Sequence, residues 1–374
     1  MIASRSIDGL PVSGPEADEW AALDAAGLCD PNTSLYWARA LLAGHIMPAD
    51  KPFTWLLTDG GRLIALVPAI IRRESVAGVL RVRMIRLVAD LSTAHSDLLR
   101  ASDADDMVAE FLVALRQLPW PWDVLRIGNL LESNAIAGHL SRLLPVAGFK
   151  HRVRREEPSY YLDLPVSYDR FLASRSSKFR NYLRRKTRQL EAMGCLEVRR
   201  AGRDLDLMQG YRDLLTVEER SWKHAHGTAI TRIPRQREFY RLLCTGAAQR
   251  GRLHLQILYL DGRPIAFDLG ITAADRYSYL KTSFDESLRL ASPATVLRAH
   301  LVESLIKEGF RCLDFPAEPY EWEEQWSSGV RWHSSFLVYN RTLGGQAYKA
   351  LTKIRRRDRP EPDPDGVRHV DPRA

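Results

Sequence analysis

Two stretches of the chain read as the same hairpin written twice. Leu56–Ile71, LLTDGGRLIALVPAII, and Leu258–Thr272, LYLDGRPIAFDLGIT, each set an apolar run, an Asp-Gly turn and a second apolar run in one order. Asp-Gly between apolar runs marks a tight hairpin, because the central residues of such turns take up positive φ. A second pair of stretches keeps the same spacing: WDVLRIGNL, Trp122–Leu130, and RCLDFPAEP, Arg311–Pro319, each put a short buried strand after a helical segment. A period of roughly 190 to 200 residues is far too long for a solenoid and points to a duplicated domain. Mixed α/β architecture follows, with strands and helices interleaved in both halves. The join is expected near residues 148–165, giving an N-terminal lobe over 1–150 and a C-terminal lobe over 165–354. Beyond them, 355–374 is rich in Pro, Asp and Arg and is expected to be disordered.

At 374 residues with 45% hydrophobic content, the chain can fill two cores. No apolar run approaches the length of a membrane span, and the N-terminus lacks a secretory pattern, so a cytoplasmic protein is expected. Cys29, Cys195, Cys244 and Cys312 stand far apart, outside any metal-ligand or disulfide spacing. No metal is expected.

The formal net charge is +8. Between Arg170 and Arg200, ten Lys and Arg face two Glu, so this one segment holds the equivalent of the whole excess. Within it, Phe179, Leu183, Leu190 and Met193 form one stripe, while Arg180, Arg184, Arg185, Lys186 and Arg188 fill the other faces. Ser176 or Ser177 caps the start and Gly194 stops it. This is an amphipathic helix packed on a domain, and its charge favours anionic partners. A free nucleic-acid arm is disfavoured, since no recognised binding motif accompanies the charge.

Five stretches, Ser177–Gly194, Gly251–Ile271 followed by Arg276–Asp285 (RYSYLKTSFD), Ser292–Gly309 (SPATVLRAHLVESLIKEG) and Leu313–Trp326 (LDFPAEPYEWEEQW), occur in an order that resembles the GNAT superfamily. Within it the likeness is to the Fem-like group that includes cellulose-biosynthesis-type acetyltransferases. Weaker similarity reaches the first half through LYWARALL, LIALVPAII and HSDLL. The resemblance implies two tandem GNAT-like lobes and transfer of an acyl group to an amine. Most GNAT enzymes draw on acyl-CoA, acetyl-CoA above all, as co-substrate. The Fem branch takes an aminoacyl group from tRNA, which is the alternative donor here. A small-molecule amine is the expected acceptor.

In a GNAT site, strand N–H groups hold the acyl carbonyl and a helix N-terminus holds the pyrophosphate. The donor-binding candidates are therefore Lys281, Thr282 and Ser283 on the strand, and Ser292, Pro293, Ala294 and Thr295 at the helix start. Arg184 and Arg188 join them for phosphate. Relatives often have Gly where Ala294 stands, which leaves this backbone less free to wrap a pyrophosphate. Asp268, which interrupts an apolar strand, is a catalytic candidate, although alternation alone leaves its face open. Glu318 and Tyr320, on a stiff Pro-flanked loop, are the others. The Fem-like pattern often has a Tyr-Lys pair there, and Glu321 replaces the lysine. Acceptor-binding candidates are Trp222, His224, Asp285, Glu321 and Trp322. Asp285 and Lys281 also fit a surface ion pair, and Trp322 with Trp326 also fits plain core packing. Ser92, His95, Ser96 and Asp97 supply the residue types of a hydrolase triad, but they lie too close in sequence and lack a GxSxG elbow.

Overall fold

The computed structural model describes residues 2–25, 30–76, 78–90, 95–102, 105–316 and 319–355. Glu318, Cys29, Ser92 and all of the expected tail beyond Arg355 lie outside the described residues. The described chain divides into two compact units, 2–158 with 331–355, and 159–330.

The first unit runs β1 (Ile2–Asp8), α1 (Pro15–Ala25), α2 (Leu35–Gly44), β2 (Lys51–Asp59), β3 (Arg62–Val76), β4 (Leu80–Leu87), β5 (Leu99–Arg100), α3 (Asp105–Arg116), β6 (Val124–Leu131), α4 (Ala135–Val146) and the start of β7 (Lys150–Asp163). Ser34 caps α2, its side chain accepting the Trp37 N–H. Asn32 and Thr33, the other capping types ahead of α2, sit one step earlier in a 3-10 turn, where the Asn32 amide donates to the His95 carbonyl. The β2–β3 turn uses Gly60 and Gly61 at φ 56° and 83°. One face of this sheet packs Phe53, Trp55, Val67, Ile85 and Ile127 against Phe111 of α3 and Leu140 of α4. Burying side chains of this size contributes about 1.5–3 kcal/mol each.

The second unit continues with α5 (Tyr168–Ser174), α6 (Ser177–Glu191), β8 (Leu196–Arg200), α7 (Leu207–Glu219), α8 (Trp222–Ala225), α9 (Pro234–Gln249), β9 (Leu253–Leu260), β10 (Arg263–Ala273), β11 (Arg276–Phe284), α10 (Pro293–Lys307), β12 (Cys312–Asp314) and α11 (Glu321–Glu324). Then β13 (Gly329–Tyr339) and α12 (Leu343–Arg355) follow, for most of their length in the first unit. Leu190 of α6 packs with Val296 and Leu297 of α10 on Leu258 and Ala266. The basic segment is thus an integral helix, capped by Ser176, whose side chain accepts the Phe179 N–H.

The duplication expected from the hairpins is present strand for strand. In the first unit β1 to β4 pair antiparallel in sequence order, α3 follows, and β6 returns parallel to β4 and pairs antiparallel with β13. In the second, β8 to β11 pair antiparallel, α10 follows, and β12 returns parallel to β11 and pairs antiparallel with the end of β7. The architecture is mixed α/β with two repeats. One boundary departs from expectation: the stretch 331–354, assigned by sequence to the C-terminal lobe, belongs to the first unit, because β13 pairs with β6.

Candidate active site

β11 organises the site. Its parallel ladder with β12 covers only Arg276–Ser278 against Cys312–Asp314, while β11 itself runs on to Phe284. Beyond Ser278 that edge has no strand partner among the described residues, which leaves the N–H groups on it for a ligand. On the other edge β10 pairs with β11 throughout, except for a bulge at which Leu280 has no opposite residue. Two residues apart, Tyr279 and Lys281 would share a face in a regular strand. The bulge separates them: Tyr279 meets Arg298 of α10, and Lys281 meets Glu218 of α7.

The corresponding opening in the first unit is filled by its own chain. Beyond the short ladder of β4 with β6, Ser96 bridges Leu130 and donates its N–H to the Asn129 carbonyl at 2.9 Å. Leu99 and Arg100 then pair with Leu66 and Ala65 of β3. The triad types at His95–Asp97 belong to this plug. His95 contacts Asp30 at 2.9 Å and Asp97 pairs with Arg100, and all of His95, Ser96 and Asp97 are buried.

Ahead of α10, Ser292 adopts left-handed φ 54° and ψ 55°, followed by Pro293 at the first helical position. A serine thus holds the left-handed conformation at this turn. The Tyr182 hydroxyl of α6 lies 2.8 Å from the Ser292 hydroxyl, and the Lys186 ammonium donates to the Leu290 carbonyl. Ala294 and Thr295 form the first turn of α10, where helix N–H groups and the dipole attract anions. Arg184 and Arg188, the expected phosphate ligands, are not brought to this turn by any bond: Arg184 donates to Asn181 at 2.8 Å, and Arg188 is exposed. Lys186 takes that position instead.

On the α10 face, Asp268 is fully buried and accepts the Tyr279 hydroxyl hydrogen, while Arg298 donates to the Tyr279 oxygen at 2.9 Å. Burial raises the Asp268 pKa despite Arg298 at 3.8 Å. A carboxylate so enclosed orients Tyr279 and Arg298 and has no exposed surface with which to meet a substrate. Arg298 stacks on the Trp322 ring, 3.7 Å from its centroid. Trp322 also stacks on Tyr320 at 6.4 Å. Tyr320 precedes the short helix α11, and its N–H is accepted by Glu323 at 3.2 Å. Burial pushes the Glu323 carboxyl up to about 8. Glu321 is exposed on α11 and Trp326 is core, against Phe171 and Phe179.

On the α7 face, Glu218 is fully buried and accepts the Ile230 N–H at 2.9 Å. Two ammonium groups approach it, Lys223 at 3.5 Å and Lys281 at 3.8 Å. Lys223 also donates to the Thr282 carbonyl at 2.5 Å. Burial, and next the positive charge of Lys223, bring Lys281 down to about 7. Beside them Trp222 and His224 are half-buried; His224 meets Arg232 at 3.1 Å and Trp222 lies edge-on to His226. Thr282 is on β11 with its hydroxyl bonded to the Phe267 carbonyl, and Ser283 is buried. Asp285, expected near the acceptor, is committed instead to Arg263 and to Ser287, whose hydroxyl donates to it at 2.6 Å.

Sequence reading missed Glu218, Tyr279, Arg298 and Glu323. Three of them carry a recognisable signal, a charged residue at an otherwise apolar position of a helix or of an aromatic-rich turn.

Residues 177–324 match the family model described as the acetyltransferase (GNAT) domain. The second unit is a GNAT acetyltransferase domain. That unit is accordingly an acyltransferase domain. No curated protein matches the chain in sequence. Among solved structures, FemX is similar over 93% of this chain and 99% of its own, with TM-score 0.61 and 11% identity. L-PGS from Bacillus licheniformis is similar over 94% and 99%, with TM-score 0.52 and 12% identity. At these identities the likeness establishes a shared fold, and it extends across both units. Among the described residues, no helix is long and apolar enough to cross a membrane.

Proposed function

We propose that the GNAT domain transfers an acyl group, acetyl in the simplest case, from acyl-CoA to an amine. The observation that carries this reading is the β11 edge beyond Ser278, unpaired by β12 and followed in the chain by the α10 N-terminus. Strand N–H groups there suit an acyl carbonyl, and donate more strongly as its oxygen gains negative charge during attack. The first turn of α10, with Lys186 beside it, suits the donor's pyrophosphate.

Direct attack by the amine fits the cysteines. Cys244 is buried, its thiol pushed up to about 12 by that burial, and Cys312 is buried against Asp314. Cys195 is exposed at the start of β8, where Asp261 binds its N–H. The two buried thiols are shut away from a substrate, which suits a route without a covalent intermediate. Asp268 is a positioning residue in this reading, holding Tyr279 and Arg298 behind the open edge. Tyr320 and Trp322 wall the same side, while Trp222 and His224 border the amine's approach.

A second reading, aminoacyl-tRNA as donor, is favoured by the α6 surface, where Arg184 and Arg188 are exposed without acidic partners, and by the likeness to FemX. One assay separates the two. Purified protein is supplied with acetyl-CoA and a panel of primary amines, and thiol release is followed. Amine-dependent release that survives ribonuclease supports acyl-CoA; transfer seen only with charged tRNA, and abolished by ribonuclease, overturns it.

A further inference from the structure

On the α7 face of the GNAT domain two ammonium groups share one carboxylate. Glu218 is already half-committed: one oxygen accepts the Ile230 N–H, and the other is 3.5 Å from Lys223 with no hydrogen-bond partner. Lys223 has a second acceptor in the Thr282 carbonyl. Lys281 has none within hydrogen-bond distance, since its nearest carboxylate oxygen is 3.8 Å away and its other neighbour is the Tyr240 ring, 5.6 Å off. Both lysine side chains remain slightly open, 17% and 14% exposed, whereas Glu218 is sealed at 0%. Partly buried cations without a full set of acceptors are costly, and the usual resolution is a counter-ion.

We infer that Lys281 and Lys223 receive the carboxylate of the acceptor, so that the substrate is an amine bearing a carboxylate group. This rests on the acyl-transfer reading for the amine itself; the anion site stands on the lysines alone. With both lysines protonated, as at mildly acidic pH, two ammonium groups against one carboxylate leave a single positive charge, which one carboxylate neutralises and a phosphate dianion would overshoot. The place is also right. Lys281 follows directly on the bulge at Leu280, in the stretch of β11 that β12 leaves open, and on the opposite face from Tyr279 and Arg298. An anchored carboxylate there would hold an amine near the acyl carbonyl. The groups facing Lys281 are Glu218 from α7, Lys223 from α8 and Tyr240 from α9. A bound anion favours the charged form of both lysines, so binding strengthens on the acid side of neutrality.

The test uses the full-length chain, isotope-labelled, titrated with acetate and separately with inorganic phosphate at mildly acidic pH, reading the Ile230 and Thr282 amide resonances. Saturable shifts with acetate are expected. Their midpoint should weaken about tenfold or more in K281M, from the loss of a charged hydrogen bond, and much less in K281R. The R184Q/R188Q variant should match the parent. Thermal unfolding of K281M guards against misfolding. Absence of saturation by acetate, equal saturation in K281M, or tighter binding of phosphate than of acetate would each overturn the inference. Calorimetry with acetyl-CoA on the same samples keeps the two readings apart. Acetate binding without acetyl-CoA binding would remove the donor assignment and leave the carboxylate site in place.

Discussion

Among the described residues the Lys281 ammonium finds no acceptor within hydrogen-bond distance, its nearest carboxylate oxygen, on Glu218, lying 3.8 Å away. Burial, and next the positive charge of Lys223, lower its pKa from the ordinary 10.5 to about 7. Between those values the unfolded chain holds a proton that the folded chain has given up, so stability rises with pH across that window and the contribution is lost as pH falls through 7. Removing the group removes the slope. K281M should melt higher than the parent near pH 7 and below, with the gap closing toward pH 10.5; thermal unfolding across that range reads it, and parallel curves would contradict it. Asp268 is the opposite case, a buried acid whose partners need it. D268A leaves Arg298 and Tyr279 without their carboxylate and should cost about 3–5 kcal/mol, read from urea midpoints, whereas D268N should cost less. Asp268 was visible in the sequence as a charge within IAFDLGI, but its face was not. Alternation gives two choices, and the contact that decides between them comes from Arg298, thirty residues along the chain on α10.

Elements were easier to read than sites. The start and stripe of α6 follow from local periodicity, and Ser176 caps it in the expected way; its end does not, since the helix closes at Glu191 with Ala192 as C-cap, ahead of Gly194, and Met193 is exposed outside the packed stripe. The bulge at Leu280 was not legible. No glycine or proline marks it, and it exists only as a mismatch between the registers of β10 and β11. It nevertheless decides which face Lys281 reaches. The conformation of the turn before α10 was not legible either: Ser292 takes the left-handed conformation, its hydroxyl beside Tyr182, with no glycine there to mark it. In the acyl-CoA reading Lys186, bonded to the Leu290 carbonyl beside this turn, stands nearer the donor's phosphates than Arg184 and Arg188. With acyl-CoA as donor, K186M should raise the donor KM about three- to tenfold, in line with one charged contact, and R184Q/R188Q should leave it near the parental value. The reverse pattern in steady-state kinetics would return the α6 arginines to the donor site.

At the scale of the molecule, duplication was written in the paired hairpins, and the two repeats match strand for strand. Their boundaries were not, because each sheet is completed by a strand that sequence order assigns elsewhere: β13 pairs with β6, and the end of β7 with β12. Nor could sequence tell which repeat keeps an open site. Ser96, Leu99 and Arg100 close the opening in the first unit, and among the described residues no strand or bridge pairs with β11 there. One open edge implies one donor site. The most direct measurement is a calorimetric titration of the full-length protein with acetyl-CoA, alongside A294E, which puts a carboxylate in the first turn of α10 where it repels a pyrophosphate. Saturable binding of one equivalent, weakened at least about tenfold in A294E, is the predicted result. No heat up to millimolar donor, or equal binding in A294E, would contradict it.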